Sequence, residues 1–257
     1  MPINVVVLTK YVPNPNGIPE LGDDFLLKRE GVEGALDPGD EFGVEAGLQI
    51  ADAQGGEVTV VSMGPEAAMG AIRKALSMGA HKGVLVSDDA LRGSDALVTA
   101  RVLAAAIKRS EFDLVIAGVE STDGYTGTLP MTLAELLEVP SVTFARKLEV
   151  KDGSLFVERQ TELGYDTVEC PLPAVVTVTA GATEPRYPTL KGIMQAKQKP
   201  VDRVSASDLG LSGDDTSPTQ QVTAVNAAPE KGPGEIIENV EEGVDRIVAF
   251  LAEAKVI

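Results

Sequence analysis

The chain has 257 residues, 44% of them hydrophobic, and a formal net charge of −17. That length supports one large or two small domains with a sizeable core, and the acidity argues against nucleic acid or an anionic membrane as partner, because phosphate contacts need clustered Lys and Arg. One cysteine excludes an internal disulfide framework and a Cys-based metal site, one histidine excludes a His-based one, and the lack of Trp leaves no stacking platform.

Residues 3–9 are a near-continuous apolar run, the pattern of a strand buried on both faces. No basic segment precedes it and no apolar run reaches the ~20 residues of a membrane span, so a cytoplasmic protein is expected. Residues 11–22, rich in Pro, Asn and Gly, read as loop. Phe42, Val44, Ala46, Leu48, Ile50 and Ala51 place a helix over 40–53, with acids in its first turn. A strand over 57–62 follows, and then a helix opened by Gly64-Pro65-Glu66 and closed by Met78-Gly79. Next come a strand at 83–87, a helix at 94–110 with Asp95 early, a strand at 112–117, a helix at 126–137 and a strand at 142–150. This alternation implies an α/β fold, a doubly wound, mostly parallel sheet with helices on both faces.

From Lys151 the pattern changes. Asp152-Gly153 has hairpin-turn composition between period-2 strands at 148–150 and 155–159, and 165–169 and 174–178 continue as a β extension of the same domain. The apolar run 172–178 leads into Glu184-Pro185-Arg186-Tyr187-Pro188. Each proline fixes its own φ and disfavours helix in the residue before it, so this reads as a stiffened loop that ends near Ile193-Met194. Residues 205–234, dominated by Ser, Thr, Asp, Gly and Pro, read as a flexible linker. Ile236, Ile237, Val240, Val244, Ile247, Val248 and Leu251 then recover helical periodicity over 235–255. Such an amphipathic terminal helix packs either on its own domain or on a partner.

Gly118-Val119-Glu120-Ser121-Thr122-Asp123-Gly124-Tyr125-Thr126-Gly127-Thr128 joins a parallel strand to a helix. Three glycines and several hydroxyls at that place make either a phosphate cradle or an ordinary Gly-rich turn. Ligands of open α/β sheets bind beyond the carboxyl ends of the strands, which here also include Leu8-Thr9-Lys10, Ser62-Met63-Gly64 and Ser87-Asp88. G-x-G-x-x-G and G-x-x-x-x-G-K-[ST] are absent. The layout resembles the adenine-nucleotide α-hydrolase-like superfamily, without the S-G-G-x-D motif of its ATP pyrophosphatases. His81, just past a helix-terminal Gly, reads as a cation complementing the helix dipole, and Cys170 as a small buried apolar residue. No catalytic constellation stands out, which indicates a carrier or binding protein.

Several motifs in order resemble the β (small) subunit of electron-transfer flavoproteins. They are 5–13 with its V-x-x-x-K-x-V-P start, Leu36-Asp37-Pro38 with Glu41, Ser62-Met63-Gly64-Pro65, the run 71–80, 118–127, 157–177, and 184–199, where E-P-R-Y-P is followed by L-x-x-I-M-x-A-K. The resemblance implies a partner α subunit that holds most of a shared FAD, and an AMP buried structurally in this chain. It places the adenine side near Leu8, with Asp37, Pro38, Gly39 and Asp40 bordering the nucleotide and Met63 lining it. Gly118, Val119, Glu120, Ser121, Thr122, Asp123, Gly124 and Tyr125 would wrap the phosphate, with Thr126 and the N–H of Gly127 as its main contacts. Leu190 matches the family's docking leucine, and Tyr187, Ile193 and Met194 would complete the apolar anchor. The implied partners are acyl-CoA and related dehydrogenases of fatty-acid β-oxidation as donors and a membrane-bound quinone oxidoreductase as acceptor. The expected organisation is a nucleotide-binding domain over 1–204 with a recognition loop at 183–199, a linker over 205–234, and a partner-facing helix over 235–257. Two alternatives are a bifurcating relative with a second FAD in the AMP site, and a stand-alone stress-type nucleotide-binding protein on the same layout.

Overall fold

The opening apolar run forms β1 (Ile3–Leu8), an interior strand of a nine-stranded sheet. The computed structural model describes residues 2–14, 16–226, 229, 232 and 234–257; residue 15 of the expected loop and residues 227–228, 230–231 and 233 of the expected linker lie outside that description. The chain divides into two units, Met1–Val222 and Thr223–Ile257.

In the first unit β1 is followed by β2 (Tyr11–Pro13), β3 (Gly34–Leu36), α1 (Pro38–Gln54), β4 (Gly56–Met63), α2 (Met69–Met78), β5 (Lys82–Val86), α3 (Ala96–Ile107), β6 (Leu114–Gly118) and α4 (Leu129–Leu137). Then come β7 (Ser141–Lys151), β8 (Ser154–Thr161), β9 (Gly164–Pro171), β10 (Ala174–Val178), α5 (Leu190–Ala196) and β11 (Val201–Val204). The sheet order is β11-β5-β4-β1-β6-β10-β7-β8-β9. Pairing is parallel from β11 to β7 and antiparallel through β8 and β9. The expected α/β architecture with a β extension is therefore present. Every residue of β6 and β10 is buried, as strands covered on both faces require. α1 and α2 fill one face with Val44, Leu48, Ile72 and Leu76, and α3 and α4 fill the other with Val98, Val102, Leu133 and Leu137.

β7 joins the two parts of the sheet. Its first residues pair with β10, and past a bulge near Ala145 the rest pairs with β8. Asp152 (φ 51°) and Gly153 (φ 82°) turn the hairpin, both in the left-handed region that a two-residue loop of this type needs.

Four expectations change. The loop expected over 11–22 begins as β2, which pairs with β3 across an intervening excursion and buries Val12. α4 starts at Leu129 and not at 126, because Tyr125 and Gly127 take positive φ. The loop expected to end at Ile193-Met194 contains α5, and the short segment after Pro200 adds β11 to the sheet edge. His81, expected to complement the dipole of α2, instead accepts a hydrogen bond at Nδ1 from the Val58 N–H (2.9 Å) and ties the turn after α2 to β4. Cys170 is buried, and desolvation pushes its thiol up.

Residues after β11 remain tied to the first unit. Asp95 caps α3 through Oδ1, and its Oδ2 accepts from the Thr219 amide (2.6 Å), the Thr219 hydroxyl (2.7 Å) and the Gln220 amide (3.1 Å). In the second unit α6 (Val240–Glu253) is capped by Asn239, and Val240, Val244, Ile247 and Val248 form an exposed apolar stripe.

α1 lies unusually close to the sheet. A Cβ on Gly47 would stand 2.9 Å from a Val7 methyl and 3.3 Å from a Val5 methyl. Gly47→Val should therefore overpack this contact and lower stability by about 1–3 kcal/mol, read as a shift in denaturant midpoint.

Candidate functional site

β1 leads outward to β4 and β5 on one side, while β6 pairs on its other side. The loops that leave the carboxyl ends of β1 and β6 therefore part, which opens the crevice where ligands of such sheets bind. Three segments meet there: Lys10 after β1, the first turn of α1, and residues 119–128 after β6.

Carboxylates organise the crevice. Asp37, fully buried, caps α1 by accepting the Gly39 amide at Oδ1 (2.9 Å), and its Oδ2 accepts both the Thr122 amide (2.7 Å) and hydroxyl (2.8 Å). Asp40 Oδ2 accepts the Lys10 amide (2.7 Å). Burial, and then the charge of Asp37, push Asp40 up to about 8, against the opposing amides of Lys10 and Gly118. A Cβ on Gly118 would stand 3.0 Å from Asp40 Oδ1, so a side chain there would crowd the Asp40 carboxylate. The Asp123 side chain is 4% exposed and bridges Lys10 Nζ (2.7 Å) and the Arg29 guanidinium. Burial alone would raise Asp123, but the Lys10 charge and the hydrogen bonds from Lys10 and Arg29 hold it below the usual carboxylate range. Lys10 Nζ also donates to Ser121 Oγ (3.2 Å).

Thus Asp37, Gly39, Asp40, Gly118, Ser121, Thr122 and Asp123 come together in one network. Pro38, Glu120, Gly124, Tyr125 and Thr126 are exposed around it, and Val119 and Gly127 are partly buried. Leu8 packs instead in the core beside Val6 and Val61, and Met63 is partly buried against that same core. Thr126 and Gly127 precede α4 and do not open it; Thr128 occupies the N-cap without a side-chain capping bond, which leaves first-turn amides for another acceptor.

Two further polar groups stand at the carboxyl ends of the strands, the edge where ligands of such sheets bind. Thr9 Oγ1 and Ser62 Oγ are buried without a hydrogen-bond partner. They follow the paired residues Leu8 and Val61 on neighbouring parallel strands, so they stand side by side at the strand ends. An unpaired buried hydroxyl costs about 1–3 kcal/mol, which a polar ligand atom or a water would relieve. Sequence reasoning placed both residues at strand ends on the ligand-binding edge, but it assigned neither hydroxyl a role. It also missed Arg29, whose link to Asp123 spans the chain with no local signal. Among the described residues no cluster of His, Cys, Asp and Glu could hold a metal ion, and no helix is long and apolar enough to cross a membrane.

A second feature lies on α5. Thr189 caps this helix by accepting the Gly192 amide (3.0 Å), and Leu190, Ile193 and Met194 fall on one face at helical spacing. All three are exposed, Leu190 by 76%, and Tyr187 just before the helix is exposed too.

Asp40 supplies a pH-dependent prediction. Its carboxyl ionises above about 3.8 in the unfolded chain but stays protonated in the folded one up to about 8, so folding takes up a proton in that interval and stability falls as pH rises through it. Relative to Asp40→Asn, the unsubstituted protein should lose up to about 1.4 kcal/mol per pH unit between about pH 5 and 8, and nothing further above. Thermal midpoints of both proteins across that range check it; a constant difference would show that the amide donors keep Asp40 ionised.

Comparison with known proteins identifies the family. Residues 24–209 match the family model described as the electron transfer flavoprotein domain. The electron transfer flavoprotein subunit beta of Mycobacterium tuberculosis is 42% identical over 264 aligned positions, covering 99% of both chains. That of Thermoanaerobacterium thermosaccharolyticum is 37% identical, covering 99% of this chain and 100% of the relative. The caffeyl-CoA reductase-Etf complex subunit CarD of Acetobacterium woodii is 36% identical with the same coverage. With its doubly wound sheet, its crevice at the switch point and relatives matched over nearly their full length, this chain belongs to the electron transfer flavoprotein beta-subunit family.

Proposed function

We infer that this chain works as one half of a heterodimer with an α subunit. The pair would take electrons from acyl-CoA and related dehydrogenases and deliver them to a membrane-bound quinone oxidoreductase, with FAD held mainly by the α subunit. Flavin supplies the redox chemistry, and this chain supplies positioning and docking. The observation that carries the reading is the exposed apolar face of α5, where Leu190, Ile193 and Met194 stand beside Tyr187 on an ordered, capped helix. A face of this kind inside a chain of net charge −17 serves a protein partner. The relative named for a caffeyl-CoA reductase complex supports a donor or acceptor that handles CoA thioesters.

The crevice would hold AMP in a structural role. The Gly127 amide and the first-turn amides of α4 would take its phosphate together with Thr126, and Lys10 and Arg29 would supply positive charge nearby. Thr9 and Ser62 offer hydroxyls to its sugar or base. In this reading the main chain of Leu8, with Asp37, Pro38, Gly39, Asp40 and Met63, borders the nucleotide. Of the expected linker over 205–234, the part after Val222 would connect the two units, and the stripe on α6 would face the α subunit, in the cytoplasm.

Two measurements test this. Nucleotides released by acid from the co-expressed heterodimer should amount to about one FAD and one AMP; two FAD without AMP would move the reading to a bifurcating subunit, and no flavin would overturn it. Leu190→Ala should slow reduction of the heterodimer by an acyl-CoA dehydrogenase about tenfold or more at limiting dehydrogenase, since burying a Leu side chain is worth about 1.5–3 kcal/mol. Flavin content and heterodimer formation should not change. Equal rates would remove Leu190 from the docking face.

A further inference from the structure

A seven-residue helix is too short to persist by itself; isolated helices need about 12–15 residues. α5 also has little core, since Ala196 is its one buried residue. Its order must come from its ends, and both ends are held by polar groups of α1 and α2.

At the leading end, Arg186 makes a two-pronged ion pair with Glu45 of α1. Nε donates to Oε2 (2.8 Å), Nη2 to Oε1 (3.0 Å), and the Arg186 amide also donates to Oε2 (3.1 Å). Nη2 reaches Asp52, about two turns further along the same face of α1 (3.0 Å). The Glu45 side chain is 5% exposed, and Gln49 donates to its Oε1 (3.0 Å). Burial alone would raise Glu45, but the Arg186 hydrogen bonds outweigh it and keep the carboxylate charged. Just upstream, the Thr183 hydroxyl donates to the Phe42 carbonyl of α1 (3.1 Å).

At the trailing end the contacts are reciprocal. Lys199 Nζ donates to the carbonyls of Leu76 (3.0 Å), Gly79 (3.2 Å) and Ala80 (2.6 Å), capping α2. From α2, Arg73 donates to the carbonyls of Ala196 and Lys199, capping α5. Between them Gly192 touches α2 so closely that a Cβ would stand 2.5 Å from the Ser77 carbonyl oxygen.

We propose that Glu45 is a positioning residue for electron transfer: through Arg186, and with the Arg73–Lys199 caps at the far end, it holds Tyr187, Leu190, Ile193 and Met194 in the arrangement that a dehydrogenase binds. This rests on the docking reading above. A docking face fixed before encounter spares the partner the cost of ordering it. If loss of the leading clamp leaves the face in its binding arrangement for about a tenth of the time, apparent affinity falls by about the same factor.

The test uses the complete heterodimer and a purified acyl-CoA dehydrogenase. Glu45→Gln should raise the KM for dehydrogenase about tenfold with kcat and bound nucleotides unchanged. It should also speed hydrogen exchange at the amides of Gly192 and Ile193, which are bonded to Thr189. Glu45→Asp should recover part of both effects. Leu190→Ala should raise KM without changing exchange, which separates the two readings. Unchanged KM and exchange in Glu45→Gln, with Leu190→Ala impaired, would overturn the clamp alone. Unchanged KM in Leu190→Ala would overturn the docking reading, and the positioning role would fall with it. Should Glu45→Gln fail to fold, Arg186→Lys keeps the charge but loses the two-pronged geometry, and the same readings apply.

Discussion

The carboxylate of Asp37 serves two elements at once, and the crevice depends on that sharing. One oxygen caps α1 through the Gly39 amide, and the other binds Thr122 twice, in the loop that follows β6. A capping contact alone is worth about 0.5–2 kcal/mol. Here the second oxygen also fixes the nearest loop of the neighbouring βα unit, so helix and loop are ordered together. With Asp37 fully buried, each of these donors is needed to offset the loss of water. The place of α1 on the sheet then sets everything it carries: Asp40 one turn on, Glu45 beyond it, and Asp52 near its end.

Asp40 and Asp123 show how surroundings separate like side chains. Asp40 is buried beside the negative Asp37, and two backbone amides are too little to keep it in the ordinary range. Asp123, almost as hidden, sits between two cations and moves the other way. Charge in the crevice is thereby nearly balanced within it, although the whole chain is strongly acidic. That balance suits a ligand held by amide donors and a few cations better than one steered in by a broad positive field.

How legible this was depended on whether the signal was local. β1, β6 and β10 appear in the sequence as uninterrupted apolar runs because both faces of a parallel sheet are covered, and Asp152-Gly153 announced its hairpin through turn composition. β2 and β3 escaped because they are short and pair across a polar excursion. α5 escaped because Pro185 and Pro188 argue against helix, while what forms it is tertiary: the Thr189 cap, the Gly192 contact and the Arg73–Lys199 exchange. In the crevice the Gly-rich turn was visible, but the start of α4 was placed three residues early. Glycine content tells where a phosphate could approach; the left-handed residues Tyr125 and Gly127 decide where the helix begins. The motif E-P-R-Y-P was read for its tyrosine and prolines, whereas the structure gives its arginine the main structural duty.

That duty explains how an exposed apolar face can be tolerated on so small a helix. A loose segment carrying Tyr187, Leu190, Ile193 and Met194 would collapse onto the nearest apolar surface or pair with other chains. Held between an ion pair on α1 and exchanged caps on α2, it has no freedom to do so. The same rigidity removes a conformational cost from partner binding. Polar contacts worth little as stability alone are thus placed where they decide geometry.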